Sequence, residues 1–202
     1  MLANSKTVVV CMLALAVGGC EEREAESEPI KANAQRVGAQ TETPGGDDAF
    51  AARAKKLTQQ FQSALQSALS SAIQQGGPPN AIAVCSKQAP AIGRKVSNNA
   101  LSIRRIGTRV RNPDNAPTDA ERQKLAALSP ETPEQVYASD GQKTYMRAIF
   151  VNKPVCLKCH GPRESLSQGV RQKLAELYPQ DNATGYALGD LRGAFIVEAA
   201  PQ

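Results

Sequence analysis

Cys156-Leu157-Lys158-Cys159-His160 is the stretch on which the fold of this chain turns. C-x-x-C-H is the attachment signature of c-type haem. Two thiols three positions apart add to the two vinyl groups of one porphyrin, and the next residue offers its imidazole as proximal iron ligand. His160 is the one histidine in 202 residues, so no other imidazole competes for that place. The chain has no tryptophan and only four Phe and four Tyr. One bound haem would supply much of the bulk that such a core lacks.

Two other chemistries use the same residues. A redox dithiol of the thioredoxin kind belongs beside a βαβ unit, and the residues around Tyr145 to Val155 give no such crossover. A zinc site would draw on Cys85, Cys156, Cys159 and His160, a formal Cys3His set. Adjacent Cys159 and His160 fit poorly on two corners of one tetrahedron, because zinc motifs leave residues between ligands. Haem c is the preferred reading, zinc the second and a dithiol the third.

The N-terminus reads as an export signal. Lys6 precedes the apolar run Thr7 to Val17, which is followed by Gly18-Gly19-Cys20. That is a charged n-region, an h-region and small residues at a cleavage site. The run is too short for a transmembrane helix, which needs roughly 20 apolar residues. Val17-Gly18-Gly19-Cys20 resembles a bacterial lipobox, implying a signal peptide over 1–19 and acylation of Cys20. The expected location is the periplasmic side of a bacterial membrane, held by the lipid. The alternative leaves Cys20 as an unpaired thiol, a liability in an oxidising compartment.

Of five cysteines, Cys11 then leaves with the signal, Cys20 takes the lipid, and Cys156 and Cys159 take the porphyrin. Cys85 alone is unassigned. It is either a small buried hydrophobe or an iron ligand. The balance of 24 basic to 19 acidic residues is too slight to point to nucleic acid as a partner. Residues 20–48 have no aromatic and end near Pro44-Gly45-Gly46, the composition of a disordered tether. Its roughly 28 residues give a reach of about 30 Å, standing a domain of residues 49–202 off the membrane.

Within that domain, Phe50, Ala54, Leu57, Phe61, Leu65, Ala68 and Ala72 step by three and four, predicting a helix over 48–75. Asp47 and Asp48 stand at its start, and Gly76-Gly77-Pro78-Pro79 stops it. The stripe reads as a core face rather than a cofactor wall, with a dimer seam as the alternative. A second helix over 79–97 carries Cys85 and should be broken or kinked at Pro90. A strand is expected over 101–110 and a turn-rich loop over 111–117. Thr118 and Glu121 form a capping box for a short helix to Leu128. Val136-Tyr137 and residues 143–151 form a hairpin through Asp140-Gly141. A helix over 167–178 and a strand over 193–198 complete an α+β domain, a small antiparallel sheet wrapped by helices.

Ala81-Ile82-Ala83-Val84-Cys85, then Ile103-Arg104-Arg105 with Arg111-Asn112-Pro113, then Cys156 to His160 resemble the PAS-like c-type haem domain family over about residues 50–198. Its members are free-standing periplasmic proteins and sensor inputs of histidine kinases. The resemblance implies a PAS-like sheet and iron held by His160 and Cys85. The residues themselves keep Met146 as a rival distal ligand, since His/Met iron is typical of electron-carrying cytochromes. Met146 stands only ten residues before Cys156, a short reach to the opposite haem face, whereas Cys85 is remote. A thiolate donates electron density and lowers the iron's potential.

Arg104, Arg105, Arg109 and Arg111 form a basic stretch. It is either a solvated strand face or, at Arg104 and Arg105, a set of partners for haem propionates, since guanidinium forks match carboxylates. Lys153 and Lys158 would rim a docking site for an acidic redox partner. Two functions follow: a redox or gas sensor module in which Cys85 exchanges as ligand, or an electron carrier with permanently six-coordinate iron. An enzyme such as a peroxidase ranks below both, because it needs distal acid–base groups and no distal histidine exists.

Overall fold

The computed structural model describes residues 44–139 and 141–200. The expected signal peptide, Cys20, Asp140 and most of the tether lie outside the described residues.

α1 (Pro44–Val96) begins four residues earlier than the sequence pattern places it. Asp47, expected as a cap, lies instead in the first turn, where its charge complements the helix dipole. Non-helical dihedrals at Gly76 and Gly77 divide α1 into two segments. Gly77 has φ 71°, a conformation open to glycine at little cost. The break leaves the last carbonyls of the first segment without helical partners, and Asn80 Nδ2 donates to Ala72 O at 3.0 Å. Pro78 and Pro79 then start the second segment. No break occurs at Pro90: its fixed φ suits a helix, and Ala81, Ile82 and Ala89 are all buried. That burial outweighs one missing hydrogen bond.

The described strands are β1 (Leu101–Gly107), β2 (Glu134–Ser139), β3 (Gln142–Phe150) and β4 (Leu191–Ala199). They form one antiparallel sheet in the order β1-β4-β3-β2. β1 stops at Gly107, three residues short of expectation, where its partner register with β4 ends at Gly193. A Cβ on Gly193 would stand 2.0 Å from Ile106 O, so only glycine permits this approach. The hairpin between β2 and β3 turns at Gly141, φ 76°.

Strand alternation gives the sheet two faces. Phe195 and Val197 of β4, with Ile103 and Tyr145, meet Phe50, Ala54, Leu57 and Phe61 of α1. Ala194 and Ile196, with Ile106 and Met146, meet Leu125 and Leu128 on the other side. Each large apolar side chain so buried contributes roughly 1.5–3 kcal/mol. The α2 helix (Asp119–Ala126) covers the second face. Its capping box is complete, Thr118 accepting from Glu121 N while the Glu121 carboxylate accepts from Thr118 N. α3 (Pro154–His160) and α4 (Gln168–Leu177) follow β3, and Val170 and Leu174 of α4 pack against Ile82 of α1. The architecture is therefore the expected α+β.

Candidate haem-binding site

A cavity of about 730 Å³ lies between α1, the end of the sheet and α3. That is within the about 300–1,000 Å³ of small-molecule and cofactor sites. α1 lends Cys85 from its second segment and Leu65, Leu69 and Ile73 from its first; β1 lends Arg105, α3 lends Cys156, Cys159 and His160, and β4 lends Arg192. The apolar stripe of α1 thus does two jobs. Phe50, Ala54, Leu57, Phe61 and Ala72 are core, as expected of the stripe, while Phe61 and Leu65 also line the cavity, joined there by Leu69 and Ile73 from beside the stripe.

The C-x-x-C-H stretch forms a single helix, for which the sequence alone gives no periodic signal. Pro154 opens it, and the i, i+3 spacing sets Cys156 and Cys159 on neighbouring positions of one face. Gly161 ends it, donating to Leu157 O at 2.9 Å. The segment after α4 returns to grip this turn: Tyr186 N donates to His160 O at 2.9 Å and Gly185 N to Gly161 O at 2.8 Å.

His160 Nδ1 lies 2.8 Å from Ala183 O. A carbonyl only accepts, so Nδ1 carries the proton and Nε2 keeps its lone pair. Metal-ligating histidines are commonly fixed this way. Burial above all, then the Arg111 and Arg192 cations, hold the imidazole pKa well below its ordinary 6.5. His160 is therefore neutral and fit to donate to a metal. The Tyr186 ring meets it edge-on at 6.1 Å.

Arg111 joins the parts. Its Nε and Nη2 donate to the Asp181 carboxylate at 3.0 and 3.1 Å, and Nη2 also reaches Cys159 O at 2.6 Å. Arg109 donates to Thr184 O at 2.6 Å and stacks 3.9 Å over Tyr186. Ala183, Asp181, Tyr186 and Arg192 escaped the sequence reading. A backbone acceptor has no sequence signature, and residues 179–190 carry no motif.

The two arginines singled out as propionate partners part company. Arg104 belongs to the α2 side of the sheet, where its guanidinium bridges Glu121 and Glu198. Those two carboxylates occupy it. Arg105 stands on the cavity side, 5.6 Å over the Phe61 ring, with no carboxylate partner among the described residues. Met146 is also relocated. It is fully buried among Ile106, Leu125 and Ile196, on the sheet face away from α1, and it does not line the cavity. Strand parity decides this: Tyr145 and Met146 must point to opposite faces.

Cys85, Cys156 and Cys159 are free thiols. Burial raises the Cys85 pKa, opposed by the charges of Arg105 and Arg111. Burial likewise raises that of Cys159, which lies near enough to Cys85 to feel its charge. A coordinated cation would deprotonate such a thiol outright. Among the described residues no three His, Cys, Asp or Glu side chains converge on a single metal ion. The Cys3His zinc set is therefore not assembled. The sheet is antiparallel, which likewise removes the βαβ setting of a thioredoxin dithiol. Sulfur and imidazole donors share one cavity without meeting, an arrangement that suits a broad ligand lying between them.

The sheet, the long helix and the C-x-x-C-H helix of this α+β domain bound one cavity, which Cys85 also lines and which has the size of a cofactor site. The chain belongs to the Tll0287-like family, which matches residues 43–200. Among solved structures it is similar to the crystal structure of the cyanobacterial haem protein Tll0287, at 25% identity and a TM-score of 0.54. The likeness covers 80% of this chain and 98% of that one. No curated protein matches the chain. The resemblance drawn from the three motifs is borne out at the level of the family.

Proposed function

We propose that this protein is an exported, lipid-anchored haem module. Cys156 and Cys159 would hold one haem c covalently, and His160 Nε2 and Cys85 would be the side chains that bind its iron. The observation that carries the reading is the single cavity lined by all four residues. The residues fit the group. The imidazole is neutral with a free Nε2, the thiols are reduced, and cationic side chains stand ready for carboxylates.

When bound, the haem would supply a one-electron iron centre able to take small diatomic ligands. The chain does the rest. Ala183 O fixes the imidazole, Arg111 and Asp181 hold the turn that carries it, and Leu65, Leu69 and Ile73 keep water from the apolar side of the cavity. Cys85 rides on the second segment of α1, beyond the Gly76–Gly77 break. A thiol that lets go there would release a helix with its own hinge, which favours a redox or gas sensor. The anchor through Cys20 places the module on the periplasmic side of a bacterial membrane. The exposed Lys153 and Lys158 beside the motif favour electron carriage as the second reading.

Electron paramagnetic resonance of the ferric protein, with carbon monoxide added after reduction, tests this. Low-spin iron with thiolate-type g values, followed by rapid carbon monoxide binding, is expected. Low-spin iron that stays six-coordinate in both redox states would transfer the function to electron carriage.

A further inference from the structure

The cavity wall carries more positive charge than the protein balances. Arg94, Arg105, Arg111, Lys158 and Arg192 line it, with Arg104 beside them on β1 but its guanidinium on the α2 face, and Asp114 is the one carboxylate among the lining residues. Two of these cations have acids of their own, Arg104 in Glu121 and Glu198 and Arg111 in Asp181. Arg105 and Arg192 have none among the described residues. Arg192 Nη1 donates to Arg109 O at 3.0 Å, but its Nε is buried and donates to nothing. Its guanidinium passes over β1 at Gly107, where a Cβ would stand 2.8 Å from Nη1. The glycine makes room for the arginine. Arg105 stands two residues earlier on that strand, and both Arg105 and Arg111 lie close enough to repel Arg192. Buried charges without partners are costly, so an uncompensated pair in one cavity calls for anions.

We propose that Arg105 and Arg192 form a receptor for two carboxylates, those of the bound porphyrin, and that Arg104 and Arg111 take no part in it. Each guanidinium offers a planar fork that matches one carboxylate. The receptor rests on the haem reading above. It adds a residue from β4 that no motif marks, and it fixes which edge of the porphyrin meets the sheet.

The test uses the haem-loaded full chain. Resonance Raman bands from propionate bending report hydrogen bonding at the carboxylates themselves. Arg105→Gln and Arg192→Gln should each shift these bands, read per attached haem with the haem content of each variant measured by mass. Arg105→Lys and Arg192→Lys keep the charge without the fork and should move the bands partway; they serve where a Gln variant does not accumulate. Arg104→Gln should leave the bands in place. Unmoved bands in all Arg105 and Arg192 variants, with haem attached, would overturn the receptor and leave the haem reading intact. A wild type without covalent haem would remove the haem reading first. Succinate that shifts the wild-type absorption spectrum, but not that of the Arg105→Gln/Arg192→Gln protein, would assign the receptor to a soluble dicarboxylate and overturn the assignment.

Discussion

Cys85 shares a cavity with the C-x-x-C-H turn and Arg111 hydrogen-bonds to it, and substitution separates the two roles. Cys85→Ala leaves Cys156, Cys159 and His160 untouched, so haem should still attach. Its ferric iron should turn high-spin or take up water, and its potential should rise as the electron-rich thiolate is lost. The packing cost should be small, on the order of 1 kcal/mol. A spectrum identical to wild type would make Cys85 a plain core thiol. Arg111→Gln acts on structure instead. It strands Asp181, whose side chain is only 3% exposed, and frees Cys159 O and Ala183 O. Breaking a buried pair costs roughly 3–5 kcal/mol, measurable as a lowered midpoint in urea. A loss below 1 kcal/mol would deny Arg111 that role. Cys156, Cys159 and His160 stand out in the sequence by residue type and spacing and Cys85 only through the family resemblance, and all four line one cavity. Asp181, Ala183 and Arg192 were not legible there, because their part depends on where a motif-free loop and a strand end come to rest. The sheet faces of Arg104 and Met146 were not legible for one reason: whichever face a strand residue takes is fixed only once its neighbours are known.

At the scale of elements, local chemistry gave most boundaries. The capping box at Thr118 and Glu121 and the stop at Gly76-Gly77 act within one turn of helix, so a short window of sequence contains them. Thr118→Ala should cost about 1 kcal/mol, or more, because Glu121 also anchors Arg104. Gly193→Ala is the harsher change. Its Cβ would meet backbone at Ile106 O, which no side-chain rotation relieves. At least about 2 kcal/mol should be lost, within the overpacking range of 1–3, with thermal unfolding as the measure. A Gly193→Ala protein as stable as wild type would contradict the β1–β4 register. What the sequence missed is α3, since a helix of seven residues shows too little periodicity to announce itself. The continuation through Pro90 was missed because tertiary burial there overrides local preference.

For the whole molecule, the site couples to pH. The unfolded chain binds a proton at His160 below about pH 6.5, whereas the folded pKa is depressed. The unfolded state therefore holds more protons there, and stability is full above pH 6.5 and falls as pH drops through and below it. The slope should approach about 1.4 kcal/mol per pH unit for that one proton. Denaturant melts of the haem-free Cys156→Ala/Cys159→Ala chain, in which no iron holds His160, would measure it across this range, and stability that rises on acidification to pH 5 would contradict the buried neutral imidazole. The central claim is the covalent haem held at Cys156 and Cys159. Intact mass spectrometry of the denatured, acid–acetone-extracted chain, made with a working cytochrome c maturation system, tests it most directly. The expected mass is the polypeptide plus one haem, reduced to the bare chain in Cys156→Ala/Cys159→Ala. A wild-type chain at its bare mass, colourless after extraction, would contradict it.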